Sequence, residues 1–324
     1  MRVAVVWNND YTGVINQFGQ PRPRVDDRET VEMVMAALQE GGHETLLCEG
    51  DKELLATLER FMPADRQARP SGIVFNRTYG IQGECPCSHI PAMLEMAGVP
   101  YTGSSPLGHG LATDKVITKI LIRNGGVPTP NFRVMRSGTE STGDLRFPLV
   151  VKPRYGSTSR GLQFVDEPAQ LRQTVEGIVT HYAQDALVEE YIDGREIHVQ
   201  LLGNAEFEAL PLVEYDFGDR ENRLLTWEVK CTAAAAVPSV CPAQIGSNLA
   251  RELQDISVAT FRACHCRDYA RVDLRIDRSG RPFVLEINSM PGLGKTSSSL
   301  VNRILDVAHT RYFGTGITKS FLAH

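Results

Sequence analysis

DYARVDLRIDRSGRPFVLEINSMPGLGKTSSS, residues 268–299, reads as two short strands joined by a turn at Asp277, Arg278, Ser279 and Gly280. Side chains alternate across a strand, so Arg271, Asp273 and Arg275 share one face and Val272, Leu274 and Ile276 the other. On the returning strand the same rule groups Glu286 with Asn288 and sets Leu285 and Ile287 opposite. An exposed hairpin would alternate in the same way. Hard oxygen donors converging beside an arginine are also what a magnesium–phosphate site requires. A near-match to a phosphate loop, SMPGLGKT at 289–296, occupies the same place, but Ser289 stands where that pattern has its first glycine. Too little chain follows it for the strand that would carry a second magnesium carboxylate.

The 324 residues suffice for two or three domains at roughly 100–200 residues each. The net charge is −5 with acids and bases interspersed, which argues against a nucleic-acid-binding surface. Met1 leads straight into an apolar strand, so no signal peptide is expected. No apolar run approaches the roughly 20 residues of a membrane span, and a cytoplasmic, non-membrane protein is expected. Of the seven cysteines, Cys85/Cys87 and Cys264/Cys266 form the close pairs, and one intervening residue is not zinc spacing.

Residues 2–7 read as a buried parallel strand, followed at 8–24 by a long polar loop of the kind often used for function. A helix from about residue 27 carries Val31, Val34, Met35 and Leu38 at helical spacing, with Asp26 and Glu29 as a cap pair. Strands at 44–48, 73–76 and 100–102 alternate with helices at 54–62 and 90–97, which predicts a small doubly wound parallel sheet. No G-x-G-x-x-G follows the first strand, so dinucleotide binding is not expected. A further helix runs to about residue 124. FPLVVKP (147–153), YGSTSRG (155–161) and LQFV (162–165) read as strand, loop and strand. A lysine at a strand end before a small-residue loop suits an anion, because bare backbone N–H groups can approach its oxygens. A helix over 168–182 precedes ALVEEYIDGREIHVQLLG (186–203), read as one strand. Residues 214–240 read as an irregular covering loop in which a lone Lys230 would ordinarily face solvent, and 249–264 as a helix.

Five segments, in this order, resemble the ATP-grasp enzymes and, within them, the D-alanine–D-alanine ligase-like group. They are PYTGSS (100–105) with DKVITK (114–119), VVKPRYGSTSRG (150–161), VEEYIDGREIHV (188–199), KC with CPA across 230–243, and RVDLRID with FVLEINSMPG (271–292). The resemblance covers nearly the whole chain. It implies an α/β, three-domain ATP-grasp fold, with an N-terminal doubly wound parallel sheet (1–107) and two α+β domains (108–192 and 193–324) clasping ATP. It implies that Lys115 and Lys152 contact the phosphates, under a loop containing Gly156, Ser157, Thr158 and Ser159. The backbone of Glu189, Glu190, Tyr191 and Ile192 would meet the adenine edge, and Glu196 the ribose. Lys230 matches a γ-phosphate lysine, which reverses its ordinary reading. Asp273, Glu286 and Asn288 would hold two magnesium ions, or manganese in their place. Arg271 would stabilise an acyl phosphate and the tetrahedral intermediate. The relatives are commonly dimers, which implies a homodimer.

The departures surround the substrate. NNDYTGVINQFGQPRPRVDD (8–27) replaces the family's G-G-x-S-x-E-x-x-V-S type segment, with Val25 near the expected glutamate and Asp26 or Asp27 as substitutes. FNRTYGIQGE (75–84), containing Arg77, replaces a histidine-bearing glycine segment. Thr158 stands where a paired serine is expected, Cys231 replaces a tyrosine, and the approach through Gly292–Ser299, with Ser297 in it, is lengthened. The expectation is an ATP-dependent, ADP-forming carbon–nitrogen ligase. It would phosphorylate a small-molecule acceptor, usually a carboxylate, and couple it to the amine of an amino acid, with an acceptor other than D-alanine. The alternatives are an authentic D-alanine–D-alanine ligase and a dipeptide ligase or mycosporine-like amino acid synthetase, the last activating an enolised carbonyl. From another class come an ATP-binding regulatory module and a small-molecule kinase. A regulatory module predicts loss of a magnesium carboxylate or of Arg271, and both are retained.

Overall fold

The computed structural model describes all residues except 10, 12, 13, 16, 19–27, 157, 221, 222, 228, 230–236, 294–297 and 315–324. A parallel sheet of order β2-β1-β3 opens the chain, from β1 (Arg2–Trp7), β2 (Glu44–Glu49) and β3 (Gly72–Asn76). Its central strand is apolar from Val3 to Trp7 because both faces are covered. Val3, Val5 and Trp7 pack with Val31, Val34 and Leu38 of α1 (Arg28–Glu40). Ala4 and Val6 pack with Leu54 and Leu58 of α2 (Leu54–Phe61) and with Leu94 of α3 (His89–Ala97). The strand expected at 100–102 is reduced to one bridge, Val74 to Tyr101.

An antiparallel sheet of order β4-β7-β5-β6 follows, from β4 (Phe132–Met135), β5 (Leu149–Pro153), β6 (Gln163–Val165) and β7 (Ala186–Glu190). The helix Pro168–Tyr182 covers it through Leu171, Val175 and Ile178. The run 186–203 is not one strand. β7 ends at Glu190, and β8 (Gly194–Gly203) starts in a different sheet. Gly194 has φ 155°, and a Cβ there would lie 1.9 Å from the Ile276 carbonyl, so the crossing is open to glycine alone.

The third sheet has order β11-β10-β8-β12-β13, with β9 (Phe207–Ala209) also on β8. Its other members are β10 (Val213–Tyr215), β11 (Ser239–Val240), β12 (Tyr269–Asp277) and β13 (Pro282–Asn288). Ile197, Val199, Val272 and Leu274 form its apolar face. Against them pack Ala112 of α4 (Pro106–Thr113), Ile122 of α5 (Lys115–Asn124) and Leu253 and Phe261 of the helix Ser247–Ala263. The expected single helix up to residue 124 is thus two, broken at Asp114. That carboxylate caps α5 by accepting from the N–H groups of Val116 and Ile117 and is clamped by Arg154, with Nη2 2.6 Å from Oδ2.

Two helices cross the divisions drawn from the sequence. α5 lies within 108–192 yet packs under the third sheet, and the C-terminal helix Ser298–Phe313 packs Val301, Ile304 and Leu305 against the α1 side of the first. Asp268, fully buried, pins this junction. It accepts from Arg311 Nη2 (2.7 Å), Gly103 N (2.7 Å) and Asn204 Nδ2 (3.0 Å). Asp268→Ala strands a largely buried arginine and should lower unfolding free energy by about 3–5 kcal/mol, read by chemical denaturation.

Candidate active site

β12 and β13 pair Arg271 with Asn288, Val272 with Ile287 and Asp273 with Glu286, then jump to Leu274 with Val284. Leu285 is the extra residue of a β-bulge. Strict alternation sets it opposite Glu286; the bulge instead brings both onto one cavity wall. The inward-facing residues of β8 and β12 form the apolar core, so their alternates, Glu196, His198, Arg271, Asp273 and Arg275, share the other face.

That face is internally compensated. Arg271 donates twice to Asp273, Nε to Oδ1 at 2.6 Å and Nη2 to Oδ2 at 2.9 Å. Asn288 Nδ2 donates to Asp273 Oδ2 at 3.1 Å. His198 Nε2 lies 3.6 Å from both Asp273 Oδ1 and Glu196 Oε1. Arg275 Nη1 lies 3.6 Å from Glu196 Oε2, and its guanidinium also binds the carbonyls of Arg223 and Gly194.

Opposite stand the lysines. Lys115, at the start of α5, donates to the Gly156 carbonyl at 2.7 Å and lies 3.9 Å from Glu286 Oε2. Lys152, near the end of β5, lies 2.5 Å from Glu189 Oε1, and Lys119 lies 2.6 Å from Glu189 Oε2. Burial opposes the charge on Glu189, but the two lysines overcome it and hold its carboxyl below the ordinary range. Burial likewise opposes Lys152, and Glu189 with Glu286 more than restores it. For Lys119 burial wins and draws the ammonium down to about 8, against the pull of Glu189. Gly156 has φ 138°, which favours glycine, and Thr158 and Ser159 follow with φ 60° and 57°. Across the cleft, the guanidinium of Arg160 sits 5.3 Å from the Trp227 ring centre.

Between these walls lies a cleft. Leu162, Leu224, Leu225 and Leu285 make an apolar slot, while Lys115, Lys152, Glu196, Asp273 and Glu286 make its polar part. A second cleft shares Lys115, Gly156 and Glu286 with it and adds Tyr79, Cys87, His109 and Ser289. His109 Nδ1 is 2.8 Å from Ser289 Oγ, and burial pulls the imidazole down to about 4, leaving it neutral. Cys87 Sγ lies 3.3 Å from Thr113 Oγ1.

Asp273, Glu286 and Asn288 supply two carboxylates and an amide oxygen, the hard donors magnesium takes. Among the described residues no cluster of three or more His, Cys, Asp or Glu side chains could hold a metal alone. A cation here fits as one completed by oxygens of a bound phosphate.

The model of the D-ala D-ala ligase C-terminus matches residues 121–311, more than half of the chain. The chain belongs to the D-alanine–D-alanine ligase family. It is therefore an ATP-binding protein of the ATP-grasp group, and its relatives support an ATP-dependent ligase acting on small molecules. It is 67% identical to the uncharacterized protein y4sG of Sinorhizobium fredii, over 98% of this chain and 99% of that one. The D-alanine–D-alanine ligase of Pelotomaculum thermopropionicum is 35% identical over 69% of this chain and 71% of its own. The Bordetella pertussis ligase is 32% identical over 88% and 89%. The structure of the Bacillus anthracis ligase complexed with ATP has the same fold, with TM-score 0.73, 22% identity and coverage of 96% and 98%.

Lys115, Lys152, Gly156, Ser159, Glu196, Asp273 and Glu286 line one cleft, with Asn288 on the second and Arg271 beside Asp273. Thr158 and Gly292 are exposed. Ser157, Lys230, Cys231, Asp26, Asp27 and Ser297 lie outside the described residues. Arg77 does not line either cleft. It is buried, with its guanidinium bound to Tyr269 Oη, Tyr79 Oη and the Pro291 carbonyl. Lys119, Tyr79, Cys87, His109 and Leu285 carried no sequence signal that separated them from core or loop residues. Among the described residues, no helix is long and apolar enough to cross a membrane.

The bulge yields a direct test. If a nucleotide binds in this cleft, Leu285→Asp should raise its KM at least tenfold with little loss of thermal stability, because the carboxylate would enter the cleft wall beside Glu286 and not the sheet's core. Strict alternation would bury that charge in the sheet's core, and the variant would then fail to fold.

Proposed function

We propose that the chain is an ADP-forming carbon–nitrogen ligase that phosphorylates a small-molecule acceptor and joins it to the amine of an amino acid. The observation that carries this reading is the wall common to both clefts: Lys115, Gly156 and Glu286 border each. A nucleotide in the leucine-lined slot would then present its terminal phosphate to an acceptor in the second cleft. The N–H groups of Glu190 and Tyr191 are taken by the carbonyls of Asn131 and Pro148, so the Ile192 backbone is the natural partner for adenine. Glu196 would take the ribose. Lys115 and Lys152, with Lys230, would neutralise the phosphates beneath the loop carrying Ser157, Thr158 and Ser159. Asp273, Glu286 and Asn288 would hold magnesium, which supplies positive charge to the transferring phosphate. The cleft lies where the unit 108–192 meets the unit 193–324.

The chemistry requires such a cationic enclosure. A carboxylate is a poor electrophile; transfer of the γ-phosphate makes an acyl phosphate, which an amine attacks to expel phosphate. Both steps build charge on oxygen, and fixed cations in a water-poor site stabilise it. Arg271, fixed by two bonds to Asp273, is the donor we assign to that oxygen. Among the described residues lining the second cleft, Glu286 is the only carboxylate, and it also borders the nucleotide slot. The acceptor is read as a compound other than D-alanine because residues 8–27 and 75–84 depart from the family's first-substrate segments.

ADP release measured over a panel of acids and amines tests the reading, and turnover with D-alanine alone matching the best pair would overturn the acceptor assignment. Arg271→Ala should cut turnover by about a hundredfold or more while leaving ATP affinity largely intact. A parallel loss of ATP affinity would contradict its assignment to the reacting oxygen.

A further inference from the structure

Lys119 lines neither of the two clefts described above. It is completely buried and meets the other oxygen of the carboxylate that Lys152 meets. Its ammonium is 2.6 Å from Glu189 Oε2 and donates to Thr129 Oγ1 at 2.7 Å; the Phe132 ring centre lies 5.8 Å away. A lysine buried for packing alone would need one carboxylate partner of its own. Here one carboxylate serves two ammonium groups, Lys119 through Oε2 and Lys152 through Oε1. The arithmetic matters for phosphate. Lys152 and Glu189 by themselves sum to zero, so the pair would offer a polyanion little net attraction in a low-dielectric interior. With Lys119 the group of three sums to +1.

We infer that Lys119 is a positioning residue for ATP, a second cation on Glu189 that leaves the positive charge of Lys152 uncancelled at the phosphate end of the cleft. The inference rests on the reading of Lys152 as a phosphate contact. Lys119 acts through Glu189 and Lys152 and meets no reactant itself. Its burial supports the assignment, since an ammonium with no access to solvent cannot exchange Glu189 for water. Its bond to Thr129 holds it in place at the far end.

Charge counting supplies the test, with ATP dissociation constants measured by calorimetry on the full chain. Lys119→Gln keeps a donor for Thr129 and removes the charge; Lys119→Met is the second form should the amide not fold. Either variant should weaken ATP binding about tenfold or more, the order expected when one partly buried unit charge near phosphate is lost. Combining Glu189→Gln with the neutral Lys119 variant restores the sum of +1 and should return affinity to within about threefold of the parent. A packing role predicts the opposite, since two changes in one buried cluster would compound. Unchanged affinity in both neutral Lys119 variants, or a double variant no better than the single one, overturns the inference. Lys152→Met separates the two readings. If it abolishes binding while the rescue fails, only the role of Lys119 falls; if it leaves binding unchanged, the phosphate reading of Lys152 falls and takes this inference with it.

Discussion

The sharing of one buried carboxylate, Glu189, between Lys119 and Lys152 constrains most of what surrounds the cleft. An uncompensated charge in the interior costs several kcal/mol, so these three side chains must stay together wherever the backbone carries them. They come from α5, β5 and β7, and thereby lock a helix that packs under the third sheet to two strands of the second. The chain of bonds continues. Thr129, which accepts from Lys119, donates to the Val284 carbonyl at 2.8 Å, and Val284 N donates to the Pro128 carbonyl at 2.8 Å. Val284 adjoins the bulge that turns Leu285 and Glu286 into the cleft. The lysine end and the proposed metal end of the site are thus tied through one short route of hydrogen bonds.

A second seam runs through Arg77. It leaves the end of β3 and binds Tyr269 and the Pro291 carbonyl, while Tyr79 donates to the Met290 carbonyl at 2.9 Å. These bonds hold the turn after Asn288 against the first sheet. Tyr79, Ser289 and Met290 are also walls of the second cleft, so docking the N-terminal sheet and building that cleft, the proposed acceptor chamber, are one event. Arg77 was a reasonable substrate candidate, being a lone cation in an altered loop. Its burial among three oxygen acceptors gives it a structural use.

Much of this was legible in residues 268–299, because period-two alternation and oxygen-rich side chains survive translation into structure with little dependence on context. What alternation cannot show is a register jump. The bulge at Leu285 follows from how β13 meets β12, a property of the pair, and no residue type in FVLEIN announces it. The division of 186–203 into strands of two sheets was similarly hidden, although Gly194 marked the spot: glycine inside a strand pattern often signals a close backbone approach. Lys119 was visible as a residue and silent as a role, since a lysine on a helix reads as solvated until its partners are known. His109 sits in PLGHGLAT among small and apolar residues, where a satisfied core histidine is the ordinary reading.

The two ends of the site differ in how freely they can change, and the fold explains why. The proposed nucleotide end is written on paired strands, where moving Asp273 or Lys152 by one residue would send a charge to the opposite face of a sheet. Substitution there is nearly all-or-none. The acceptor chamber is assembled differently. Tyr79 and Cys87 come from the stretch between β3 and α3, His109 from a short helix, and Ser289 from the turn beyond β13. None of these positions sets a strand register. Each can exchange its side chain with only local repacking, so a new acceptor can be accommodated without disturbing phosphate transfer, provided that the triad around Glu189 and the tether through Arg77 keep the walls in place.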